Sequence, residues 1–306
     1  MKVFHSLDQF NGKNPVLTIG TFDGVHLGHQ VILKRLSEIA REINGEVTLL
    51  TFHPHPRQIL YPEQKDLLLL TTQKEKIILL ERFGVDNLVF QPFSYEFSRL
   101  SYDDFVKQII VEGIHAKKVV IGYDHHFGHN REGGLKQLAL LSGIYHFEVE
   151  EIPEQDIDYA AISSSRVRKA LMAGDLQSAN HLLGHLYSIE GKVVKGKQLG
   201  RTLGFPTANL ETASDKLIPM NGIYAVTTSI KGISYKAMLS IGHRPTFDNG
   251  AKSVEVNVID FNDDLYGQEI AISLHYYLRP EKKFDTKEEL IEQMKQDKKQ
   301  TLQLLS

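Results

Sequence analysis

The stretch PVLTIGTFDGVHLGHQVILKRLSEIAREINGEVTLLTF (15–52) decides the fold. PVLTIG (15–20) is a short apolar run stopped by Gly20, which reads as a buried strand. VILKRLSEIAREI (31–43) places Ile32, Leu36, Ile39, Ala40 and Ile43 at helical spacing. EVTLLTF (46–52) is again strand-like. The sum is a strand–loop–helix–strand unit, and the pattern continues. TTQKEKIILLERFG (71–84) and YDDFVKQIIVEG (102–113) read as helices stopped by Gly, and NLVFQPF (87–93) and AKKVVIGYD (116–124) as strands. Such alternation predicts a Rossmann-like α/β domain, a parallel sheet with helices on both faces. Ligands then gather at the carboxyl ends of the strands. GTFDGVHLGH (20–29) and GYDHHFGHNREGG (122–134) both follow a strand directly.

Past about residue 185 the texture changes. LYSIEGKVVKG, GIYAVTTSI, SYKAMLSIG, KSVEVNVIDF and EIAISLHYYL are strand-like runs separated by Gly, Pro, Asn and Asp. They predict a small antiparallel barrel or sandwich. The chain closes with a helical stretch, 286–305, in which Leu290, Met294, Thr301 and Leu305 trace one face. The expected domains are 1–183 and 184–306.

Composition narrows the function classes. A chain of 306 residues has room for two cores, and a net charge of −3 gives no global reason to expect nucleic acid or membrane as partner. Cys is absent, which excludes disulfides and thiolate metal sites and fits a reducing cytoplasm. The N-terminus MKVFHSLDQFNGKNP has no apolar signal-peptide core, and no run reaches the ~18 apolar residues of a membrane span. A soluble cytoplasmic protein is the expectation.

His26 and His29 stand at i,i+3 at a helix start, where unpaired N–H groups and the positive dipole end favour phosphate. Gly20, Gly24 and Gly28 allow close approach of backbone and ligand. The plainer reading is a loop with incidental histidines. A zinc site lacks the H-E-x-x-H glutamate and any Cys. ISSSRVR (162–168) offers hydroxyls at Ser163, Ser164 and Ser165 and guanidinium charge at Arg166 and Arg168; it also reads as an N-capped helix start. Asp124 is either an adenosine or metal contact or a turn-former after a strand. In GRTLGFPTANL (200–210), Thr207 and Asn209 face one side of a strand and suit Mg²⁺ and phosphate; a polar strand edge is the alternative. GKVVKGKQ (191–198) imitates a P-loop but has Gln198 where Ser or Thr is needed. Gly196, Gly200 and Gly204 instead suggest a lid over nucleotide. In SVEVNVIDF, Val254, Val256 and Val258 share one face, and Glu255 and Asn257 the other. A carboxylate there can act as a general base, or be only part of a solvated face.

GTFDGVHLGH resembles the nucleotidyltransferase motif of the bacterial bifunctional riboflavin kinase/FAD synthetase family. TFHPHP (51–56), GYDHHFGHNREG (122–133) and ISSSRVR follow in that family's order. In the second half GRTLGFPTANL, NGIYAV, VEVNVIDF and LRPEKKFDTKEEL match its kinase part, so the resemblance spans essentially the whole chain. It implies phosphorylation of riboflavin to FMN, then adenylylation of FMN to FAD, with ATP and Mg²⁺ and with release of pyrophosphate. It implies Glu255 as catalytic base and Thr207 with Asn209 as Mg²⁺ and phosphate ligands. His26, His29, Ser164 and Arg168 would surround a triphosphate. Gly20, Thr21, Phe22, Gly24, Asp124, Ser163, Arg166, Gly196 and Gly204 would line ATP, and His55 and Pro56 the flavin substrate; His53 is unassigned. His125 departs from the family's Phe, and Asn257 from its common His. The rival readings are a chain in which one domain keeps only its fold, a flavin- or nucleotide-sensing binder, and a His-rich metal protein.

Overall fold

The computed structural model describes residues 1–63, 67–153, 162–196, 203–243 and 252–306. The chain packs as two compact units, Met1–Ser163 and Ser164–Ser306. This division falls ahead of the 183/184 boundary expected from sequence. Of the two short helices between those points, the second packs on the strands that follow and the first packs on the second.

The first unit is built on six parallel strands: β1 (Lys2–Phe4), β2 (Val16–Ile19), β3 (Val47–His53), β4 (Asn87–Pro92), β5 (Lys118–Gly122) and β6 (Glu148–Ile152). Their spatial order is β1-β4-β3-β2-β5-β6. Successive strand residues enter opposite cores, which is why these strands are apolar without alternation. Leu17, Leu50, Val89 and Val119 pack on one face, and Val16, Leu49, Leu88 and Val120 on the other. Helices α1 (Leu27–Glu42), α2 (Pro56–Leu60) and α3 (Gln73–Arg82) come next in the chain, and α1 and α3 cover the second of these faces. Helix α4 (Tyr102–Phe105), which runs on as a π-helical stretch Val106–Gly113, and α5 (Leu135–Tyr145) cover the first. From β2 the chain winds outward through β3 and β4, then returns to place β5 beside β2. The strand order reverses between β2 and β5, the topological switch point where open α/β sheets bind ligands. The loops after β2, β3 and β5 leave the same edge of the sheet, and they carry GTFDGVHLGH, TFHPHP and GYDHHFGHNREGG.

The second unit opens with α6 (Ser164–Met172) and α7 (Leu176–Leu183). A closed barrel of antiparallel strands follows: β7 (Tyr187–Val194), β8 (Ala208–Thr212), β9 (Gly222–Ile230), β10 (Ile233–His243), β11 (Lys252–Val258) and β12 (Glu269–Arg279). Asn180 of α7 ties the helices to the barrel, donating to Leu274 O at 3.0 Å and accepting from Tyr187 N at 2.8 Å. The final helix α8 (Lys287–Leu304) lies on the barrel by the expected face, Leu290, Met294, Thr301 and Leu305, with Thr301 and the unforeseen Asp297 its buried residues. Asp297 is buried because Arg279 of β12 grips it bidentately, at 2.9 and 2.7 Å. No helix among the described residues is long and apolar enough to cross a membrane.

Candidate active sites

The first site is built where β2 gives way to α1. The loop turns through Phe22 (φ +46°), Gly24 (φ +84°) and Val25 (φ +41°). Positive φ in two non-glycine residues is strained and persists only where surrounding contacts fix it. Those contacts are present. The buried Asp23 carboxylate accepts from Leu70 N at 3.1 Å, and from Thr71 N and Oγ1 at 3.0 and 3.2 Å. The buried Lys76 ammonium donates to Thr21 O at 2.6 Å, and the Thr51 hydroxyl donates to the same oxygen at 3.2 Å. Gln30 Nε2 donates to Val25 O at 2.8 Å. Gly20 matters because a Cβ there would press on the Phe22 ring at 3.1 Å.

This bend sets three rings in a stack. Phe22 lies 4.5 Å from His29, and His29 lies 3.7 Å from His26, centroid to centroid. His26 is also the N-cap of α1, its Nδ1 accepting from His29 N at 3.4 Å. The Nδ1 of His29 is buried and has no hydrogen-bond partner. Burial first, then the neighbouring His26 ring and Lys76 ammonium, hold the His29 imidazole well below the usual histidine range. A neutral imidazole with an unmet polar atom, at the N-terminal end of a four-turn helix, is prepared to meet an anion.

The other loops of this unit are ordered by local bonds. His53–Pro54 is a cis peptide. His55 N-caps α2, accepting from Arg57 N at 3.2 Å while Gln58 Oε1 accepts from His55 N at 3.1 Å, and Pro56 opens the helix. After β5, His125 N donates to Gly122 O at 3.0 Å and closes a turn that leaves Asp124 exposed. Ser163 ends the first unit. Ser164 and Arg168 stand one turn apart on α6, in the second unit, flanking the buried Val167 and Leu171; Arg166 is exposed. The residues expected around one triphosphate therefore divide between the two compact units.

The second site lies on the outer face of the barrel. Strand pairing sets Glu255 of β11 directly opposite Asn209 of β8. Thr207 Oγ1 donates to Glu255 Oε2 at 3.2 Å. Gly196 is required beside them, since a Cβ there would sit 2.1 Å from Asn209 Nδ2. Gly204 adopts φ +79°, with open space where a Cβ would point. Gly200 and Gln198 lie outside the described residues. Val254, Val256 and Val258 face the barrel core, so alternation sends the Glu255 carboxylate outward to the Thr207 hydroxyl.

Residues 8–166 match the FAD synthetase family model, and residues 183–305 the riboflavin kinase family model. The chain is 39% identical over 295 residues to the bifunctional riboflavin kinase/FMN adenylyltransferase of Listeria monocytogenes, covering 96% of this chain and 93% of that one. It is 36% identical over 307 residues to the enzyme of the same description from Bacillus subtilis, covering 99% and 96%. The chain belongs to the bifunctional riboflavin kinase/FMN adenylyltransferase family. A crystal structure described as a macrolide-efflux protein from Streptococcus pneumoniae has the same architecture, with a TM-score of 0.86, 31% identity and 98% of both chains covered.

The two departures from the family's motifs have structural counterparts. His125 keeps an aromatic arrangement, its ring stacked 6.0 Å from Phe127. Phe127 in turn is bridged to Gly133, where a Cβ would strike the Phe127 ring at 2.6 Å. Burial, then His126 and Arg131, push His125 down to about 4. Asn257 lies on the Glu255 side of β11, but the Pro206 segment covers it. It is buried and donates to Pro206 O at 2.8 Å, fixing the backbone just before Thr207. Sequence reasoning overlooked Asp23, Thr71 and Lys76, which shape the histidine loop. Lys76 sits in TTQKEK, where helical spacing alone places a lysine on the solvated side.

Proposed function

We propose that this chain performs both reactions of its family, with adenylyl transfer assigned to residues 1–183 and phosphoryl transfer to 184–306. In the kinase reaction Glu255 accepts the proton of the riboflavin 5′-hydroxyl as that oxygen attacks the γ-phosphorus of ATP. The bond from that phosphorus to the β-bridging oxygen breaks, and ADP departs. Thr207 orients the carboxylate through its hydroxyl. Thr207 and Asn209 present only oxygen and amide donors, which suits Mg²⁺, an ion that keeps several waters and binds chiefly through substrate phosphates. Among the described residues no group of three His, Asp or Glu could hold a metal alone, so the ATP phosphates would complete the coordination. Mg²⁺ there would neutralise charge on the transferring phosphate. Gly196 leaves room for the Asn209 side chain, and Gly204 supplies a flexible turn beside the nucleotide.

In the second reaction an oxygen of the FMN phosphate attacks the α-phosphorus of ATP, and the bond to the departing pyrophosphate breaks. His26 and His29 stabilise the charge that builds on the phosphates, together with the α1 N-terminus. Ser163, at the end of the first unit, supplies a further donor to that triphosphate. Gly20, Thr21, Phe22 and Gly24 shape its backbone cradle, Asp124 contacts the adenosine side, and His55 with Pro56 borders the attacking FMN phosphate.

The observation that carries this assignment is that each compact unit holds its own polar cluster of the needed chemistry. Incubation of the purified protein with riboflavin, ATP and Mg²⁺, followed by chromatography, is expected to give FMN and then FAD. Supplying FMN in place of riboflavin is expected to give FAD alone. Tight ligand binding by calorimetry with neither product formed would sink the proposal and favour a sensing role.

A further inference from the structure

We propose that Lys76 is a positioning residue for adenylyl transfer, its buried ammonium pinning the Thr21 carbonyl and so fixing the bend that carries the His26–His29 stack. The inference rests on the assignment of that reaction to the histidine site. Lys76 is 7% exposed and lies on α3, far along the chain from the loop it holds. A buried lysine is rare because desolvating an ammonium costs several kcal/mol unless it is paired. Here the partners are the Thr21 carbonyl, at 2.6 Å, and the charge of Asp23 two residues further on. Asp23 in turn holds Leu70 and Thr71, the residues leading into α3. The loop and the helix start are therefore clasped twice, once by a cation on a carbonyl and once by a carboxylate on amides.

A structural clasp alone has no need of a charge. Thr51 already donates to Thr21 O at 3.2 Å, so that oxygen would not be orphaned without Lys76. What the ammonium adds is a positive charge near the imidazole pair. The ammonium feels the charge of Asp23 from the loop, and it acts on His29 at the start of α1, which stacks on His26. Burial first, then His26 and Lys76, hold the His29 ring below the usual histidine range, and Lys76 is the part of this that a substitution can remove. The position of that ring is set by a bend that would relax if the Thr21 anchor were lost.

The test compares wild type, Lys76→Met and Lys76→Gln in the intact chain, assaying FMN plus ATP and riboflavin plus ATP separately. K76M is expected to lower kcat for FAD formation by on the order of 10²-fold, the usual cost of misplacing a catalytic group by about 1 Å. FMN formation from riboflavin should stay at the wild-type rate, which reports that the second unit is folded, and an unchanged far-UV circular dichroism spectrum reports that the first is. Selective ¹⁵N labelling of histidine is expected to show His29 titrating at higher pH in K76M, because a nearby positive charge is gone. K76Q keeps a neutral donor; it should recover part of kcat while its His29 titration stays raised. If K76M makes FAD at the wild-type rate, the proposal is overturned. It is also overturned if FAD formation falls while His29 titrates as in wild type, since Lys76 would then be structural only. A wild-type protein that makes no FAD from FMN would remove the assignment itself, and the inference with it.

Discussion

On the proposed assignment, the two candidate sites grip the phosphates of ATP with opposite construction. In the parallel-sheet unit the site is a strained loop: Phe22 and Val25 hold positive φ, and distant side chains clasp them in place. On the barrel the site is two adjacent strands in regular register, Glu255 facing Asn209, with Thr207 just beyond the strand end. The loop concentrates helix-end polarity and imidazole rings, but needs a buried cation and carboxylate to keep its shape. The strands need little support, because alternation already sends Glu255 away from the core. Precision in the first case is supplied from elsewhere in the unit, and in the second it is local. Damage to the supports should therefore hurt the loop site more than the strand site.

The sharpest way to break the comparison is to remove one reacting group from each side. Glu255→Gln keeps shape and removes the base. FMN formation is expected to fall by about 10²–10⁴-fold, the range for general base catalysis, with FAD formation from supplied FMN unchanged. Chromatography with each substrate in turn checks both arms, and retained FMN formation would dismiss Glu255 as base. His29→Ala is expected to do the reverse. FAD formation should drop by roughly 10²-fold, the scale of losing one preorganised donor, while riboflavin phosphorylation continues. A drop in both reactions would mean the sites are not independent.

The same contrast explains what could be read from the sequence. The alternation of strands and helices in 15–124 was legible because apolar periodicity and Gly stops carry it, and the barrel was legible as strands without helices between them. Other elements were hidden. β1 is three residues long, too short to show a period. β6 reads EVEEI, and its charges make sense only beside the Arg35 and Lys118 side chains that pair with Glu150. α5, LKQLALLSGIY, is apolar on every side: it buries Leu138 and Leu141 and exposes Leu140 and Ile144, so it has no clear helical stripe. At the sites, residues on motif loops and strand faces could be named. Lys76 could not, because its role comes from a partner 55 positions away. Asn257 was placed on the open face by alternation, whereas its amide turns to the Pro206 carbonyl and is buried there.

A smaller effect sharpens the strand side. Gly196→Ala introduces a Cβ that would meet Asn209 Nδ2 at 2.1 Å. The amide must move, so kcat/KM for ATP in FMN formation is expected to fall about 10-fold, a partial misplacement rather than loss of a group. FAD formation from FMN should be unaffected. An unchanged kinase reaction would show that the Asn209 position is not critical.

The smallest expected effect concerns pH and separates the loop unit by its histidines. His29 and His125 are both held below the ordinary value of 6.5, His125 at about 4. In the unfolded chain each takes up a proton as pH falls below 6.5, while the folded ring stays neutral until pH nears its lowered value. Unfolding therefore binds protons in that window, and stability present above pH 6.5 declines as pH falls through it. Thermal melting between pH 7 and pH 4, paired with residual FAD-forming activity after each incubation, should show this decline. His125→Phe removes one of the two titrations and keeps a ring to stack on Phe127. The decline should then be shallower than in wild type, with the difference vanishing above pH 6.5. A parallel pair of melting curves across the whole range would mean that His125 carries its proton equally in both states, and that the loop after β5 is more open than its stacked ring implies.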